Sequence, residues 1–312
     1  AALAGGLPAS PVLRGEGPRP DIGGQSEIGA ALAAALRDGL AQLMLHAPAC
    51  RADAPAVGVH QSRVALRRMR SVLKLFRPAL AGRLAPGAGE DPLGDFDARL
   101  RMVAAALGPA RDWDVFIGGL GRTLGETLPE DTRLVPLHRR AAAARLAAYA
   151  ALPSLLGGKP LRALLWQGAA LIEHLEAMPP QGELRGFAAQ VLARRHRRLK
   201  RAGAGIEALP PEALHALRLD GKRLRYAAEL LAPLWEGAAA RRYLRRLSRL
   251  QEALGLANDA EVARGLVRQL GARGWALGVA EGLALGHAAG SRDMALAAWA
   301  KWRKARRFWE AG

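Results

Sequence analysis

The stretch Val59-His60-Gln61-Ser62-Arg63-Val64-Ala65-Leu66-Arg67-Arg68-Met69-Arg70 decides how the chain is read, because it returns as Leu214-His215-Ala216-Leu217-Arg218-Leu219-Asp220-Gly221-Lys222-Arg223-Leu224-Arg225. With His60 set on His215, Arg63 falls on Arg218, Arg67 on Lys222, Arg68 on Arg223 and Arg70 on Arg225. Matched polar positions in one order and at one offset point to an internal duplication. At about 100° per residue, His60, Arg63, Arg67, Arg70 and Lys74 share a narrow sector, and Met69, Val72, Leu73 and Phe76 lie opposite. The second copy places His215, Arg218, Lys222 and Arg225 on one face and Leu217, Leu224 and Leu231 on the other. Each is an amphipathic helix whose polar face is cationic. No acid occurs between His60 and Arg77. A solvated face normally mixes signs, since like charges repel, so a one-sign face calls for an anionic partner.

Further matches follow each copy. Leu107-Gly108-Pro109-Ala110-Arg111-Asp112-Trp113-Asp114-Val115 after the first copy is matched by Leu250-Gln251-Glu252-Ala253-Leu254-Gly255-Leu256-Ala257-Asn258-Asp259-Ala260-Glu261-Val262 after the second, and Arg223-Leu224-Arg225-Tyr226 also fits. Together these motifs, over roughly residues 26 to 312, resemble the CHAD family, the conserved-histidine α-helical domain. The resemblance implies an all-α fold of two pseudo-twofold-related helical bundles that binds inorganic polyphosphate without catalysis, and association with polyphosphate granules. Many relatives carry a triphosphate-tunnel (CYTH) domain before the helical one. Its Glu-x-Glu-x-Lys strand is absent here, so its activity is not transferred.

Composition agrees with an all-α class. Half of the 312 residues are hydrophobic, enough for a helical core, and period-two alternation is scarce. Lys and Arg number 46 against 28 Asp and Glu, a net charge of +18, which suits nucleic acid, an anionic membrane or a polyanion. The single cysteine, Cys50, excludes an intramolecular disulfide framework and fits a reducing cytoplasm. No apolar run is read as reaching the ~20 residues of a bilayer span, and the N-terminus lacks a signal peptide's basic start.

Residues 1–25, rich in Gly and Pro, read as a linker or disordered tail; 26–180 form a first helical half and 181–312 a second. Ser26 is the expected cap of a helix running to His46. The His60 helix is expected to run from near Pro55 to before Pro78, followed by a loop over Ala85 to Gly94. The next helix should stop at Leu107, with Gly108 as its left-handed cap, and another should start near Asp112. Helices are expected over His138–Leu152 and Leu161–Met178, to Arg201, after Pro210-Pro211, to Leu254-Gly255, and again after Asn258, where Glu261 completes a capping-box spacing.

Arg194, Arg197, Arg198 and Arg201 share a face just before the second signature, with His196 on the apolar side beside Leu192 and Leu199. The first-half counterpart, Leu36 to His46, is far less basic. Arg241, Arg242, Arg245, Arg246 and Arg249 form another stripe, read equally as ligand surface or solvated face. Trp299, Trp302 and Trp309 share a face in the basic tail, which favours packing over base stacking. Asp112 and Asp259 are expected to accept helix N–H bonds or orient arginines.

The candidate polyphosphate-binding residues are therefore His60, Arg63, Arg67, Arg68, Arg70, Lys74, Arg194, Arg197, Arg198, Arg201, His215, Arg218, Lys222, Arg223 and Arg225. Arginine forks suit phosphate oxygens, and each histidine has one N–H to offer. No catalytic residue, metal site or cofactor is assigned, and no P-loop or Gly-x-Gly-x-x-Gly element appears. The alternatives are a nucleic-acid-binding basic helical protein, which lacks a recognisable motif, and an accessory domain of a polyphosphate- or triphosphate-metabolising enzyme. The latter would need Mg²⁺-binding carboxylates, for which Asp112, Asp114, Asp259 and Glu261 are the repeated candidates.

Overall fold

A computed structural model describes residues 22–80, 83–84, 91–180, 182–235, 237–289 and 291–310, with backbone only at 211, 256–261, 284, 287–289 and 291. It is all-α. In chain order the helices are α1 (Ile28–His46), α2 (Val57–Leu80), α3 (Pro92–Ala106), α4 (Gly108–Phe116), α5 (Arg122–Thr127), α6 (Val135–Ala150), α7 (Leu152–Leu156), α8 (Lys159–Ala177), α9 (Leu184–Ala202), α10 (Pro211–Leu231), α11 (Ala238–Gln269), α12 (Gly274–Ala289) and α13 (Ser291–Arg303). Among the described residues the sole β-type pairing is the isolated bridge Glu27–Glu183.

α1 is built on small and branched apolar residues. Leu32, Leu36 and Leu43 are fully buried against α2 and α8, and Gly39 leaves no room for a side chain beside Met69 of α2. Ile28–Ala49 is long and apolar enough to cross a bilayer, contrary to the reading of the sequence. More than half of its most apolar window is nevertheless buried inside the protein. Its lone adjacent charges are accommodated: Arg37 pairs with Glu176 of α8, and Asp38 faces Arg68.

α2 packs against α1 and α3, and α10 packs against α9 and α11. The apolar sides of both basic helices close one core that runs from Ile22 to Trp309 and includes Phe76, Phe96, Leu217, Leu224, Tyr243 and Trp302. Each large side chain removed from water there contributes about 1.5–3 kcal/mol. A second, smaller core joins Trp113, Phe116, Leu124 and Leu137 to Val267, Leu270 and Ala280.

Several boundaries differ from expectation. Of the segment 1–25, residues 1–21 lie outside the described residues, whereas Ile22 is wholly buried, so packing begins before Ser26. Glu27, not Ser26, precedes α1, because the Ser26 carbonyl accepts the Leu184 N–H at 2.8 Å. Pro78 lies inside the last turn of α2, where its missing N–H removes a single bond before the helix closes at Leu80. Asp91 caps α3 by accepting the Gly94 N–H at 3.0 Å. Most of the expected loop over Ala85–Gly94 lies outside the described residues, and its last three residues belong to α3.

Neither Gly108 nor Gly255 has positive φ, so neither ends a helix. Gly108 opens α4, which begins ahead of Asp112 with Pro109 in its first turn. α11 runs unbroken through Leu254-Gly255 and Asn258, so the capping-box spacing falls mid-helix, where backbone N–H groups already have partners. The helix stops instead at Gly271, φ +68°, whose N–H bonds back to Arg268. Leu152 and Pro153 start α7 instead of ending α6.

Candidate functional site

His60 sits half-buried in the first turn of α2, with Arg63 and Arg67 on its own helix and Arg111 of α4 around it. Burial, then Arg111, Arg67 and Arg63, hold its pKa below the usual histidine value, so the imidazole is neutral at pH 7. A neutral ring offers one N–H to an anion. Arg63 reaches the last turn of α3 and donates to the Ala104 carbonyl at 2.5 Å, satisfying one of that helix's terminal carbonyls. Asp112 lies near Arg63 and Arg111, and burial raises its pKa against the pull of those two arginines. Asp114 is buried and accepts from Arg145 Nε at 2.8 Å and Tyr149 Oη at 2.7 Å, tying α4 to α6.

Farther along α2 the cations separate into two kinds. Arg70 donates to Asp97 of α3 at 2.8 Å, with Arg101 on the other carboxylate oxygen at 3.5 Å. Arg67 and Lys74 are exposed. The Arg67 guanidinium lies 5.4 Å from the ring centre of Tyr226 on α10, and Arg225 of α10 lies 5.8 Å from the same ring. Cations of the two signature helices thus meet at one aromatic ring. The offset that aligns the signatures also pairs Ser71 with Tyr226, Val72 with Ala227 and Leu75 with Leu230, and these six line one small pocket between α2 and α10. Arg68 lies off the main sector, in that pocket and in the groove towards Asp38.

On α10, Arg225 pairs with Glu229 at 3.1 Å and lies 3.4 Å from the Ser248 hydroxyl of α11. Arg218 and Lys222 are half-buried, and His215 is exposed. The Gln251 amide of α11 donates to the Arg218 carbonyl at 3.3 Å. Arg223 turns towards α9: it and Arg198 both donate to the buried Asp220 at 2.8 Å. Arg195 donates to the Arg223 carbonyl at 2.6 Å, and burial, followed by Arg194 and Arg223, brings its pKa down to about 10. Arg194, Arg197 and Arg201 are exposed and pair with no described carboxylate.

The structure therefore brings His60, Arg63, Arg67 and Arg225 towards one region, and splits the α9 cations between the α10 side (Arg198) and solvent. His196 is buried, as its spacing implies, with Nδ1 2.9 Å from the Tyr243 hydroxyl. Trp299, Trp302 and Trp309 are buried too, although α13 ends at Arg303 and Trp309 belongs to a separate 3-10 turn. In the arginine stripe of α11, Leu247, Leu250 and Leu254 are buried while Arg241, Arg242, Arg245 and Arg249 are exposed. Arg111, Arg195 and Tyr226 were not among the candidates. Arg111 stands in the Leu107–Val115 motif and Tyr226 directly after Arg225, so both were within reach of the sequence. Side chains of Asp259 and Glu261 lie outside the described residues.

A family model described as the CHAD domain matches residues 34–268. The chain belongs to the CHAD domain family. Its fold is similar to the crystal structure of the CHAD domain from the plant Ricinus communis, at 26% identity and a TM-score of 0.71, over 96% of this chain and 98% of that one. PptA from Streptomyces chartreusis shares the fold at 20% identity and a TM-score of 0.61, over 90% and 99% of the two chains. No curated protein matches by sequence. The matched span covers both signatures, from within α1 to the end of α11, so the CHAD domain here contains α2, α4 and α10 and their clustered arginines.

Proposed function

We propose that this CHAD domain binds inorganic polyphosphate without transforming it, through a basic groove to which α2 and α10 each contribute. The observation that carries the reading is the meeting of Arg67 and Arg225 at Tyr226, which joins the two basic faces across the α2–α10 contact. A phosphate chain has repeated charge and no bases, so a row of cations suffices to hold it. Arg63, Arg67, Arg70, Lys74, Arg218, Lys222 and Arg225 are the proposed contacts. His60 and His215 orient the chain with single hydrogen bonds. Arg70 and Arg225 retain donors beyond those given to Asp97 and Glu229, since a guanidinium has five N–H groups.

Shared pocket lining at residues one offset apart supports a pseudo-twofold relation between the halves, divided near residue 180. Residence in the cytoplasm at polyphosphate granules follows from this reading. Tyr226 beside two arginines also favours a second reading, stacking of single-stranded nucleic acid. Competition at fixed salt separates the two. Long-chain polyphosphate should displace labelled oligonucleotide at far lower charge concentration than oligonucleotide displaces polyphosphate, and added Mg²⁺ should release no orthophosphate. Preferential retention of oligonucleotide would contradict the proposal, and phosphate release would contradict its non-catalytic part.

A further inference from the structure

A second cluster of cations lies away from the α2–α10 contact. Arg303, Lys304, Arg306 and Arg307, where the chain leaves α13, face Arg197 and Lys200 of α9 across a cleft of about 770 Å³. That volume falls within the range of ligand pockets, about 300–1,000 Å³. The one carboxylate in the lining, Glu310, is paired with Arg307 at 2.9 Å. By helical spacing Lys200 lies on the side of α9 away from Arg195 and Arg198, the side chains that α9 gives to α10, and Arg197 lies between the two sides.

Mutual repulsion would ordinarily splay such a cluster into solvent. Here the chain cannot withdraw, because the five residues from Arg303 to Arg307 are held between two buried anchors. Trp302 is fully buried, and Phe308 is 2% exposed beside Tyr243, their ring centres 5.6 Å apart. Trp299 fills the space above Gly203, where a Cβ would clash. His196 forms part of the wall, its ring tilted against Trp302 with 4.9 Å between ring centres. Burial, then Arg307, Lys200 and Arg197, lower its pKa to about 4, which places those three cations electrostatically on one wall residue. Cations brought together on an anchored backbone, with their one acid already committed, attract an anion.

We infer that this cleft between α9 and the C-terminal segment is a second anion-binding site, separate from the α2–α10 groove, that takes a compact oligophosphate. An extended groove suits a chain of indefinite length. A cleft lined by six cations from two segments, with His196 in its wall, suits an anion that concentrates several charges in a small volume.

Lysine acylation followed by mass spectrometry tests this on the full chain, with tripolyphosphate as the probe. Lys200 and Lys304 report the cleft, Lys74 the α2 face, and Lys159 at the start of α8 is the control. Tripolyphosphate should protect Lys200 and Lys304 relative to Lys159, and the protection should persist in Arg67→Glu/Lys222→Glu. Arg306→Glu should raise the tripolyphosphate concentration needed at Lys200 and Lys304 about tenfold, with protection of Lys74 unchanged. The inference is overturned if wild-type Lys200 and Lys304 are protected no more than Lys159, or if their protection disappears in Arg67→Glu/Lys222→Glu. Either result leaves the α2–α10 reading to stand or fall on Lys74 alone.

Discussion

In α2 the polar face runs His60, Arg63, Arg67, Arg70, Lys74; in α10 the same positions read His215, Arg218, Lys222, Arg225, Glu229. The last position reverses sign, and Glu229 pairs with Arg225. A second difference lies between two and three turns earlier. Ala65 of α2 is buried and apolar, whereas its counterpart Asp220 is a buried acid that holds Arg223 and Arg198. α2 therefore ends in exposed positive charge and sends one arginine to Asp97, while α10 carries its neutralising acids within its own sequence. Matched cations are thus not equivalent cations. What sets their availability is the carboxylate at a position that does not repeat.

The largest effect should come from removing Asp114, the buried acid that ties α4 to α6, set against Asp220 of α10. Asp114 has a side chain only 1% exposed, and its partner Arg145 is 20% exposed. Asp114→Ala should lower unfolding free energy by about 3–5 kcal/mol, since a buried pair broken on one side leaves an uncompensated group. Asp220→Ala should lower it by about 1 kcal/mol or less, because Arg198 and Arg223 are more than half exposed and return to water. Equal losses in urea titrations would break the distinction.

The pH dependence comes next in size. Folding keeps His196 neutral, with its pKa at about 4 against 6.5 for a free histidine. The unfolded chain takes up that proton first, so the contribution is full above pH 6.5 and is lost as pH falls towards 4. At about 1.36 kcal/mol per pH unit it amounts to about 3 kcal/mol. His60 acts in the same direction, burial being the first cause. His196→Asn should flatten the stability profile between pH 6.5 and 5 compared with wild type. An unchanged slope would place the proton uptake elsewhere.

Exchanging the sign-reversed pair sharpens the comparison of the two helices directly. Lys74→Glu should weaken polyphosphate binding about tenfold, about 1.4 kcal/mol, and Glu229→Lys should strengthen it by a few-fold while releasing Arg225. Shifts in the same direction for both would show that the faces do not act on one ligand. Smallest of all, His60→Ala and His215→Ala should each weaken binding by about 1 kcal/mol, the net value of a neutral hydrogen bond, measured by titration calorimetry.

The sequence made the all-α class and both signature helices legible, because a cationic stripe at helical spacing opposite Met69, Leu73 and Phe76 has one geometric solution. It placed the end of α3 at Leu107 correctly but gave Gly108 a left-handed cap it does not form, and it stopped α11 at Gly255, which lies inside that helix. Gly108 and Gly255 adopt negative φ, and only the backbone distinguishes them from Gly271. It named His60, Arg63 and Arg67 as candidates, which the fold draws towards one region, but could not see that Arg70 would meet Asp97, 27 residues away on α3. Nor could spacing along one helix show that Arg111 of α4 lies beside His60, or that Tyr226 joins Arg67 to Arg225. Those relations are tertiary, set by how α2 packs on α3, α4 and α10.

The most direct measurement is a polyphosphate titration of wild type and Arg67→Glu/Lys222→Glu across a salt series, with circular dichroism showing both chains folded. The account predicts that wild-type affinity falls steeply as salt rises, because neutralised phosphates release condensed counterions. At low salt the double variant should bind at least about a hundredfold more weakly, as expected for two lost charge-assisted contacts of about 1.5–3 kcal/mol each. Salt-insensitive affinity, or a folded double variant that binds as tightly as wild type, would contradict it.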